Sequence, residues 1–321
     1  MYLEGQYFAR QLSESSLARA IQLFKSVVEI DPGYSPAWAE LAYAYLWYAG
    51  TSDKMSIVEG DGLADHALEM ALSADANNAW AYFVRGMSKI HYKYDFKAGA
   101  SDFEYALSLD PGNARLIAAS GTGARILGRL EESEQFCETA LGLAPIMPET
   151  MNYLSITYTN AGKLDEAEAI IRKLLSLNSN MTGLHYRLAR VLIWKGELSD
   201  AKAEMSLETS FVSEKTGWAM LHHALGEAEL SDQELDRLIA KSAHEAAYQI
   251  AEVYGFREEH DKAFEWLEQA LLIGDPGLAS TLGDPALRNL RTDARWQPFL
   301  EKLGLLEFWL EMPTEHGGPV Q

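Results

Sequence analysis

The chain has 321 residues, of which 47 are acidic and 27 basic, so its formal net charge is −20. This charge argues against non-specific binding to nucleic acid or anionic membranes, because both need surplus lysine and arginine. Hydrophobic residues make up 48% and charged residues 23%, which is ordinary globular composition and excludes wholesale disorder. No run approaches the roughly 18 apolar residues of a membrane helix, and residues 1–22 lack a signal-peptide pattern. We therefore expect a cytoplasmic protein that contacts neither nucleic acid nor membrane.

The clearest local pattern is a pair of amphipathic helices in residues 148–181. In the first helix, apolar and small residues recur at i, i+3, i+4 and i+7 and so share one face: Met151, Leu154, Ser155 and Tyr158. Gly162 suits the left-handed position after a last helical turn. The second helix has its own stripe, formed by Ala167, Ile171 and Leu174. Two such helices in about 34 residues are typical of one unit of a helical repeat protein.

Related helix pairs follow one another along the chain. Further units begin near Tyr2, Ser35, Ala79, Ala114, Thr182, Trp218 and Ala247. Aspartate followed by proline closes several second helices, at Asp31, Asp110 and Asp275, and so marks the register of the array. We predict an all-α, right-handed solenoid (superhelix) of about eight helix-turn-helix repeats over residues 1–277. Its opening unit is either a true N-terminal cap or was cut from a longer protein.

The second unit is longer than the others. Tyr45 and Ala64 are 19 positions apart, whereas the matching residues Tyr158 and Ala167 are 9 apart, so about ten residues are inserted. We expect the segment 46–63 to form a long loop that projects from one edge of the array. Such a loop serves either as a plain spacer or as a binding element.

The regular period ends near Gly277. Residues 278–311 are predicted to form C-terminal capping helices, with starts at Asp284 and Asp293. Their strongly apolar end, Leu305–Leu310, either covers the last repeat or forms a homodimer contact. Residues 312–321 are rich in glycine and proline and are predicted to be a disordered tail.

The repeats resemble a known family. The residues Trp38, Leu41, Ala42 and Tyr45, with the closing prolines, resemble the tetratricopeptide repeat (TPR) signature, and the resemblance extends from Tyr2 to about Gly277. Segments 226–271 and 283–305 are similar to the C-terminal TPR modules of bacterial class III nucleotide cyclases and winged-helix transcription regulators. That similarity implies a regulatory or interaction module beside a catalytic or DNA-binding domain. A missing N-terminal domain of a parent protein could then be a cyclase.

The sequence offers little for catalysis. It has no phosphate-binding glycine loop and no GxSxG motif. His222 and His223 are adjacent and therefore point about 100° apart on a helix, which prevents them from chelating a metal together. Cys137 occupies a core position, where a buried thiol is expected. We predict no enzyme activity, no cofactor and no metal.

The resemblance implies a concave groove lined by the first helix of each repeat. Eleven residues are expected to face it: Tyr43, Trp47, Trp80, Phe83, Arg115, Arg125, Asn152, Asn160, Tyr186, Arg190 and Trp194. Arginine offers a planar donor fork for carboxylates, asparagine can bond a peptide backbone, and aromatic rings supply contact area. The alternative is that the aromatic residues pack against one another. A clamp for acidic chaperone tails is disfavoured, because Ile156 and Tyr186 stand where that clamp needs asparagine and lysine.

The prediction is a non-catalytic scaffold module that binds a protein or peptide in this groove. Two alternatives remain open. The chain is a regulatory or sensory TPR domain of a larger nucleotide cyclase or transcription regulator, or it is a structural homodimerisation module that uses its apolar C-terminal segment.

Overall fold

The computed structural model describes residues 1–52, 54–177 and 181–319. These residues contain no β-strand, and their first sixteen α-helices follow one another as eight pairs. The pairs are α1 (Tyr2–Ala9) with α2 (Glu14–Ile30), α3 (Ser35–Thr51) with α4 (Ile57–Ala74), α5 (Ala79–Tyr92) with α6 (Phe96–Leu109), α7 (Ala114–Ile126) with α8 (Leu130–Leu143), α9 (Pro148–Ala161) with α10 (Leu164–Leu177), α11 (Leu184–Lys195) with α12 (Leu198–Met205), α13 (Phe211–Ala224) with α14 (Ala228–Ser242), and α15 (Ala247–Phe256) with α16 (His260–Ile273). The predicted all-α fold of about eight helix-turn-helix repeats is confirmed.

A left-handed residue joins the two helices in seven of these pairs. Four of the seven are glycines, for which this conformation costs least: Gly128, Gly162, Gly196 and Gly226. The other three are Leu12, Tyr94 and Glu258, with φ of 51°, 51° and 59°. The turn between the helices thus keeps its geometry without glycine. The packing of the paired helices must therefore offset the backbone strain at these three residues.

The chain divides into two compact units. Unit 1 comprises Met1–Gly123 and Thr139–Thr150, and unit 2 comprises Ala124–Glu138 and Met151–Gln321. In unit 1, α3 packs against α2, α4 and α5, and α5 packs against α6. In unit 2, α11 packs against α10, α12 and α13, while α15 packs against α13, α14 and α16. In both units the first helices of successive repeats therefore lie side by side.

The prediction of a long projecting loop in the second repeat is wrong. Helix α3 has 17 residues and α4 has 18, compared with 14 in each of α9 and α10. The inserted residues therefore lengthen both helices. A Cβ at Gly60 would overlap the side chain of Ala49, so this glycine, which lies inside the segment predicted to be a loop, allows close helix packing. Ser56 caps α4 by accepting a hydrogen bond from the Glu59 N–H, and Asp53 lies outside the described residues.

A C-terminal segment of short helices follows the eighth pair within unit 2. Two 3-10 helices, Pro276–Ser280 and Pro285–Thr292, lead into α17 (Trp296–Leu303) and α18 (Leu306–Glu311). Leu305 is fully buried, and Phe308 and Trp309 are nearly so. This burial is what a cap requires of its apolar side chains, although half of Leu310 remains exposed. The homodimer contact stays a prediction.

The expectation of a disordered tail does not hold for residues 312–319. Met312 is buried, and its sulfur lies where a side chain at Gly128 would stand. The indole N–H of Trp309 donates to the Gly317 carbonyl over 3.0 Å, and His316 contacts Glu131 on α8. The glycine and proline content suggested disorder, but the left-handed Gly317 ends a short 3-10 helix that folds the segment back. Residues 320 and 321 lie outside the described residues.

None of the described helices is long and apolar enough to cross a membrane.

Cys137 is fully buried, as predicted. Its burial raises the pKa of the thiol to about 12, so the neutral form is favoured.

Candidate functional site

Arg115 is the centre of a polar and aromatic cluster in unit 1. It lies on α7, and its Nη1 is 2.5 Å from Oε1 of Glu40 on α3. Its guanidinium carbon lies 3.3 Å from the centroid of the Trp80 ring and 5.2 Å from that of Tyr43. Gln6 donates to the same Glu40 oxygen over 2.8 Å. Arg115 therefore combines an ion pair with cation–π contacts.

The aromatic residues predicted for the groove belong to this cluster. The ring centroids of Tyr43 and Trp47 are 6.1 Å apart, those of Tyr43 and Trp80 5.3 Å, and those of Trp80 and Phe83 4.8 Å. Tyr43 and Phe83 are buried, whereas Trp47, Trp80 and Arg115 are partly exposed. The buried rings support the cluster by packing, and the partly exposed residues form its accessible part.

Carboxylates keep Arg115 charged. Burial by itself lowers the pKa of this arginine, but the charges of Glu40 and Glu149 outweigh that effect and raise it above its ordinary value. Glu40 is 2% exposed, and Glu149 accepts a hydrogen bond from the Tyr43 hydroxyl. The charged guanidinium of Arg115 is thus paired with Glu40 and lies against the ring of Trp80.

Arg190 is the centre of a second cluster, in unit 2. It lies on α11, with Nη1 2.9 Å from Oε1 of Glu252 and Nη2 3.0 Å from Oδ1 of Asp284. Its guanidinium carbon lies 5.4 Å from the ring centroid of Tyr186 and 4.8 Å from that of Trp194. Tyr186 is buried, and Trp194 is partly exposed. As in unit 1, buried carboxylates, an arginine and a partly exposed tryptophan come together.

The two carboxyl groups beside Arg190 have opposite pKa shifts. Burial raises the pKa of Glu252 well above its ordinary value. For Asp284, burial acts in the same direction, but the Arg190 charge and hydrogen bonds from Glu252, from the Ala286 N–H and from Tyr248 lower the pKa overall. A proton in this pair therefore resides on Glu252, which donates it towards Asp284. The ionised Asp284 is the main counterion of Arg190.

The asparagines predicted for the groove are buried on α9 and hold other polar groups. Oδ1 of Asn152 accepts a hydrogen bond from Arg187. The carbonyl of Asn160 accepts one from Arg288, and the Asn160 side chain leaves no room for a Cβ at Gly283. Both asparagines are at most 5% exposed. Asn152 and Asn160 thus accept hydrogen bonds from Arg187 and Arg288. A direct contact of either asparagine with a ligand stays a prediction.

Arg125 differs from the other predicted arginines. It is 6% exposed, its Nε has no hydrogen-bond partner, and no carboxylate lies within 4.0 Å of it among the described residues. Burial lowers the pKa of its guanidinium, although neighbouring groups, including Asp284, counteract this effect. Arg125 is therefore a buried cation with weak compensation.

Three residues of the unit 2 site were missed in the sequence. Arg187 lies three positions before Arg190 and so shares its helix face, a signal that was available. Glu252 is the one charged residue within the apolar helix Ala247–Phe256. A lone charge in such a helix was a second available signal of a site residue. Asp284 was recognised as a helix start, and its side chain does accept from the Ala286 N–H. Its ion pair with Arg190, however, depends on tertiary packing.

Among the described residues, no group of three or more His, Cys, Asp or Glu side chains could hold a metal ion.

Comparisons with known proteins support the repeat architecture. Two family models described as tetratricopeptide repeat match residues 161–207 and 244–273. The transcriptional regulator HilA of Salmonella typhimurium is 28% identical over 253 residues, which are 77% of this chain and 41% of that protein. The chain thus spans about two fifths of the length of this curated relative.

Solved structures show the same fold. The crystal structure of PilW, a type IV pilus biogenesis factor, has a TM-score of 0.52 with 22% identity, over 64% of this chain and 93% of that one. A tetratricopeptide repeat protein from Parabacteroides merdae has a TM-score of 0.51 with 15% identity, over 80% of this chain and 93% of that one. Both similarities concern the fold alone. The regulator likeness agrees with the predicted resemblance, and the likeness to cyclase modules stays a prediction.

Proposed function

Because this chain is built from tetratricopeptide repeats, which form scaffolds for protein–protein interaction, we propose that it is a non-catalytic module that binds a segment of a partner protein on its first helices. The observation that carries the proposal is the Arg–Trp pair present in each unit. Arg115 stacks on Trp80 at 3.3 Å, and Arg190 lies over Trp194 at 4.8 Å. Both tryptophans are partly exposed.

Arginine and tryptophan are among the residues that are enriched at the energetically dominant positions of protein interfaces. Each arginine is fixed by buried carboxylates, Glu40 in unit 1 and Asp284 in unit 2. A fixed side chain loses little conformational entropy when a partner binds. The pairs therefore supply preorganised contacts for an extended polypeptide.

A displayed library of random 12-residue peptides, selected on the purified chain, tests the proposal. Enriched peptides should bind the Trp80→Ala or the Trp194→Ala variant at least ten times more weakly than the original chain. Trp218→Ala is the matched control, since Trp218 is also partly exposed but stacks on His222, outside both pairs. A library that yields no peptide above background, or peptides that bind all variants equally, would contradict the proposal.

A regulatory role within a larger transcription regulator is the second candidate. The 28% identity to HilA over 253 residues favours it, and it is compatible with partner binding by the same first helices. The reading frame upstream of Met1 decides the question. A DNA-binding domain encoded in frame supports the regulatory role, whereas a functional start codon and ribosome-binding site at Met1 contradict it.

A further inference from the structure

Two indole N–H groups of unit 1 have no hydrogen-bond acceptor. Nε1 of Trp47 on α3 and Nε1 of Trp80 on α5 are both covered, and neither donates to any group among the described residues. By contrast, the indole N–H of Trp38 in the same unit donates to the Pro32 carbonyl over 2.8 Å. A covered indole N–H normally has an acceptor, because an unpaired donor has lost its bonds to water without a replacement. The two exceptions are therefore donors that a ligand can use.

Both tryptophans belong to the accessible part of the unit 1 cluster. Trp47 and Trp80 are partly exposed, so a segment that binds on the first helices contacts their rings. A rotation of either ring about its side-chain bonds then turns its N–H towards that segment. A third unpaired indole N–H, that of Trp296, belongs to a fully buried side chain of unit 2, where a bound segment does not reach it.

The two donors belong to one site. The ring centroids of Trp47 and Trp80 lie 6.1 Å and 5.3 Å from that of Tyr43, so both indoles contact the same tyrosine. The guanidinium carbon of Arg115 lies 3.3 Å from the ring centroid of Trp80. A ligand group placed at this tyrosine is therefore within reach of both tryptophans.

The carboxylates of the cluster are engaged with other donors. Glu40 accepts from Gln6 and pairs with Arg115, and Glu149 accepts from the Tyr43 hydroxyl. These two carboxylates share one guanidinium, which leaves an excess of negative charge and disfavours an anionic ligand. The two indole donors therefore favour a neutral acceptor.

We propose that Trp47 and Trp80 donate hydrogen bonds to backbone carbonyl oxygens of the segment that binds to unit 1. An amide carbonyl is neutral and accepts through two lone pairs, which suits an indole N–H beside an excess of carboxylates. The carbonyls of an extended segment are free to accept, whereas those inside a helix are already bonded to N–H groups of the next turn. The donor pair thus selects an extended segment by its main chain. This inference rests on the proposed function for the presence of the segment.

Nuclear magnetic resonance of the indole N–H groups tests the inference directly. The full chain is labelled with ¹⁵N-tryptophan, signals are assigned by replacing each tryptophan in turn with phenylalanine, and a peptide selected from the displayed library is added. The indole protons of Trp47 and Trp80 should shift downfield, because each gains an acceptor. The Trp38 signal is the internal control and should stay in place, since its N–H is already bonded to Pro32.

Removal of the N–H without removal of the ring separates the hydrogen bond from stacking. Benzothienylalanine, in which sulfur replaces the N–H of tryptophan, is incorporated in place of Trp47 or Trp80. Each replacement should weaken binding of the selected peptide about three- to tenfold, because one neutral hydrogen bond is lost. The same replacement at Trp218, which stacks on His222 outside the cluster, should leave the affinity unchanged.

Ester linkages in the peptide locate the acceptors, because an ester carbonyl accepts more weakly than an amide carbonyl. Each amide of the selected peptide is replaced by an ester in turn. At a contacted carbonyl the ester should weaken binding to the original chain about threefold or more. It should have no further effect on the matching benzothienylalanine chain, because the two changes remove the same bond.

The outcomes separate this inference from the proposed function. Unchanged affinity in both benzothienylalanine chains overturns the donor pair, as do indole signals of Trp47 and Trp80 that move no more than that of Trp38. Peptides that lose affinity with Trp80→Ala but tolerate benzothienylalanine leave the proposed function standing and overturn this inference alone. Peptides that need one of their own carboxylates for the Trp47 and Trp80 shifts overturn the choice of a neutral acceptor. Thermal unfolding of each benzothienylalanine chain is the control for a change of fold.

Discussion

Arg190 and Asp284 are 94 positions apart in the sequence, yet Nη2 of the arginine lies 3.0 Å from Oδ1 of the aspartate. The bond joins a first helix, α11, to the N-cap residue of Pro285–Thr292, the second of the two 3-10 helices that follow the last repeat. Both carboxyl partners of Arg190 are nearly inaccessible, with side-chain exposures of 4% for Glu252 and 5% for Asp284. Unit 2 therefore contains a buried polar cluster around Arg190 that joins residues of different repeats.

Arg190→Met is expected to destabilise unit 2 by about 3 to 5 kcal/mol, because it leaves the buried, ionised Asp284 without its cation. A triple variant that adds Glu252→Gln and Asp284→Asn should recover at least half of that loss, since the amides carry no charge. Urea denaturation, monitored by circular dichroism, measures the free energy of unfolding of the single and the triple variant. Equal stability of the single variant and the original chain would show that the cluster does not contribute as described.

The sequence predicted the helices well because each helix-turn-helix repeat depends on local periodicity. The pattern of Pro148–Met181 recurs, and the turn positions follow it even at Glu258, which adopts φ of 59° without being glycine. Local patterns failed where one residue type has two uses. The extra length of the segment 46–63 suggested a loop, but Gly60 within it allows helix packing against Ala49. Gly317 suggested disorder but ends an ordered 3-10 helix.

The candidate site was predictable only in part. Arg115, Trp80, Arg190 and Trp194 were recognised by their positions on first helices. Their partners could not be inferred in the same way, because ion pairs such as Arg190–Asp284 form between residues that are far apart in the sequence. Helical spacing predicts which side chains share a face, and it contains no information about which distant carboxylate reaches them.

Arg125→Met is expected to stabilise the unliganded chain by about 1 to 2 kcal/mol, because it replaces a poorly compensated buried cation by an apolar side chain of similar length. Arg115→Met is the matched comparison, since Arg115 has Glu40 at 2.5 Å, and it should destabilise the chain by about 3 kcal/mol. Urea denaturation distinguishes the two. A loss of stability in both variants would mean that Arg125 is compensated by groups in its surroundings.

Asp275 is expected to make stability depend on pH. Its burial raises the pKa of the carboxyl to about 6, compared with about 3.9 in an unfolded chain. A raised pKa in the folded state means that the contribution to stability is complete below about pH 3.9 and is lost as the pH rises through 6. Between pH 4 and pH 7 the loss should amount to roughly 3 kcal/mol.

Asp275→Asn removes this titration. The Tyr248 N–H bonds to Oδ2 and the Gly277 N–H to Oδ1, so asparagine keeps one of these two acceptors and loses the other, a loss that does not depend on pH. The free energy of unfolding of the original chain minus that of the variant should therefore decrease as the pH rises from 4 to 7. Thermal or urea unfolding at several pH values measures the difference. A difference that stays constant over this range would contradict a raised pKa at Asp275.

Gly128 and Gly162 provide a matched pair for testing how the C-terminal segment packs. Both adopt left-handed backbone, with φ of 79° and 77°. A Cβ at Gly162 would meet nothing within 4 Å, whereas one at Gly128 would overlap the Met312 side chain. Gly162→Ala should therefore cost only the backbone strain of about 1 to 2 kcal/mol, and Gly128→Ala should cost a further 1 to 3 kcal/mol, roughly, from overpacking.

Deleting the residues after Glu311 separates these two contributions, because it removes Met312 and leaves both glycines in place. In the shortened chain, Gly128→Ala and Gly162→Ala should destabilise by equal amounts, as measured by thermal unfolding. If Gly128→Ala remained the more harmful substitution after the deletion, the additional cost would arise within α7 and α8 rather than from the contact with Met312. The difference between the two alanine variants, with and without the tail, thus measures how firmly residues 312–319 pack against Gly128.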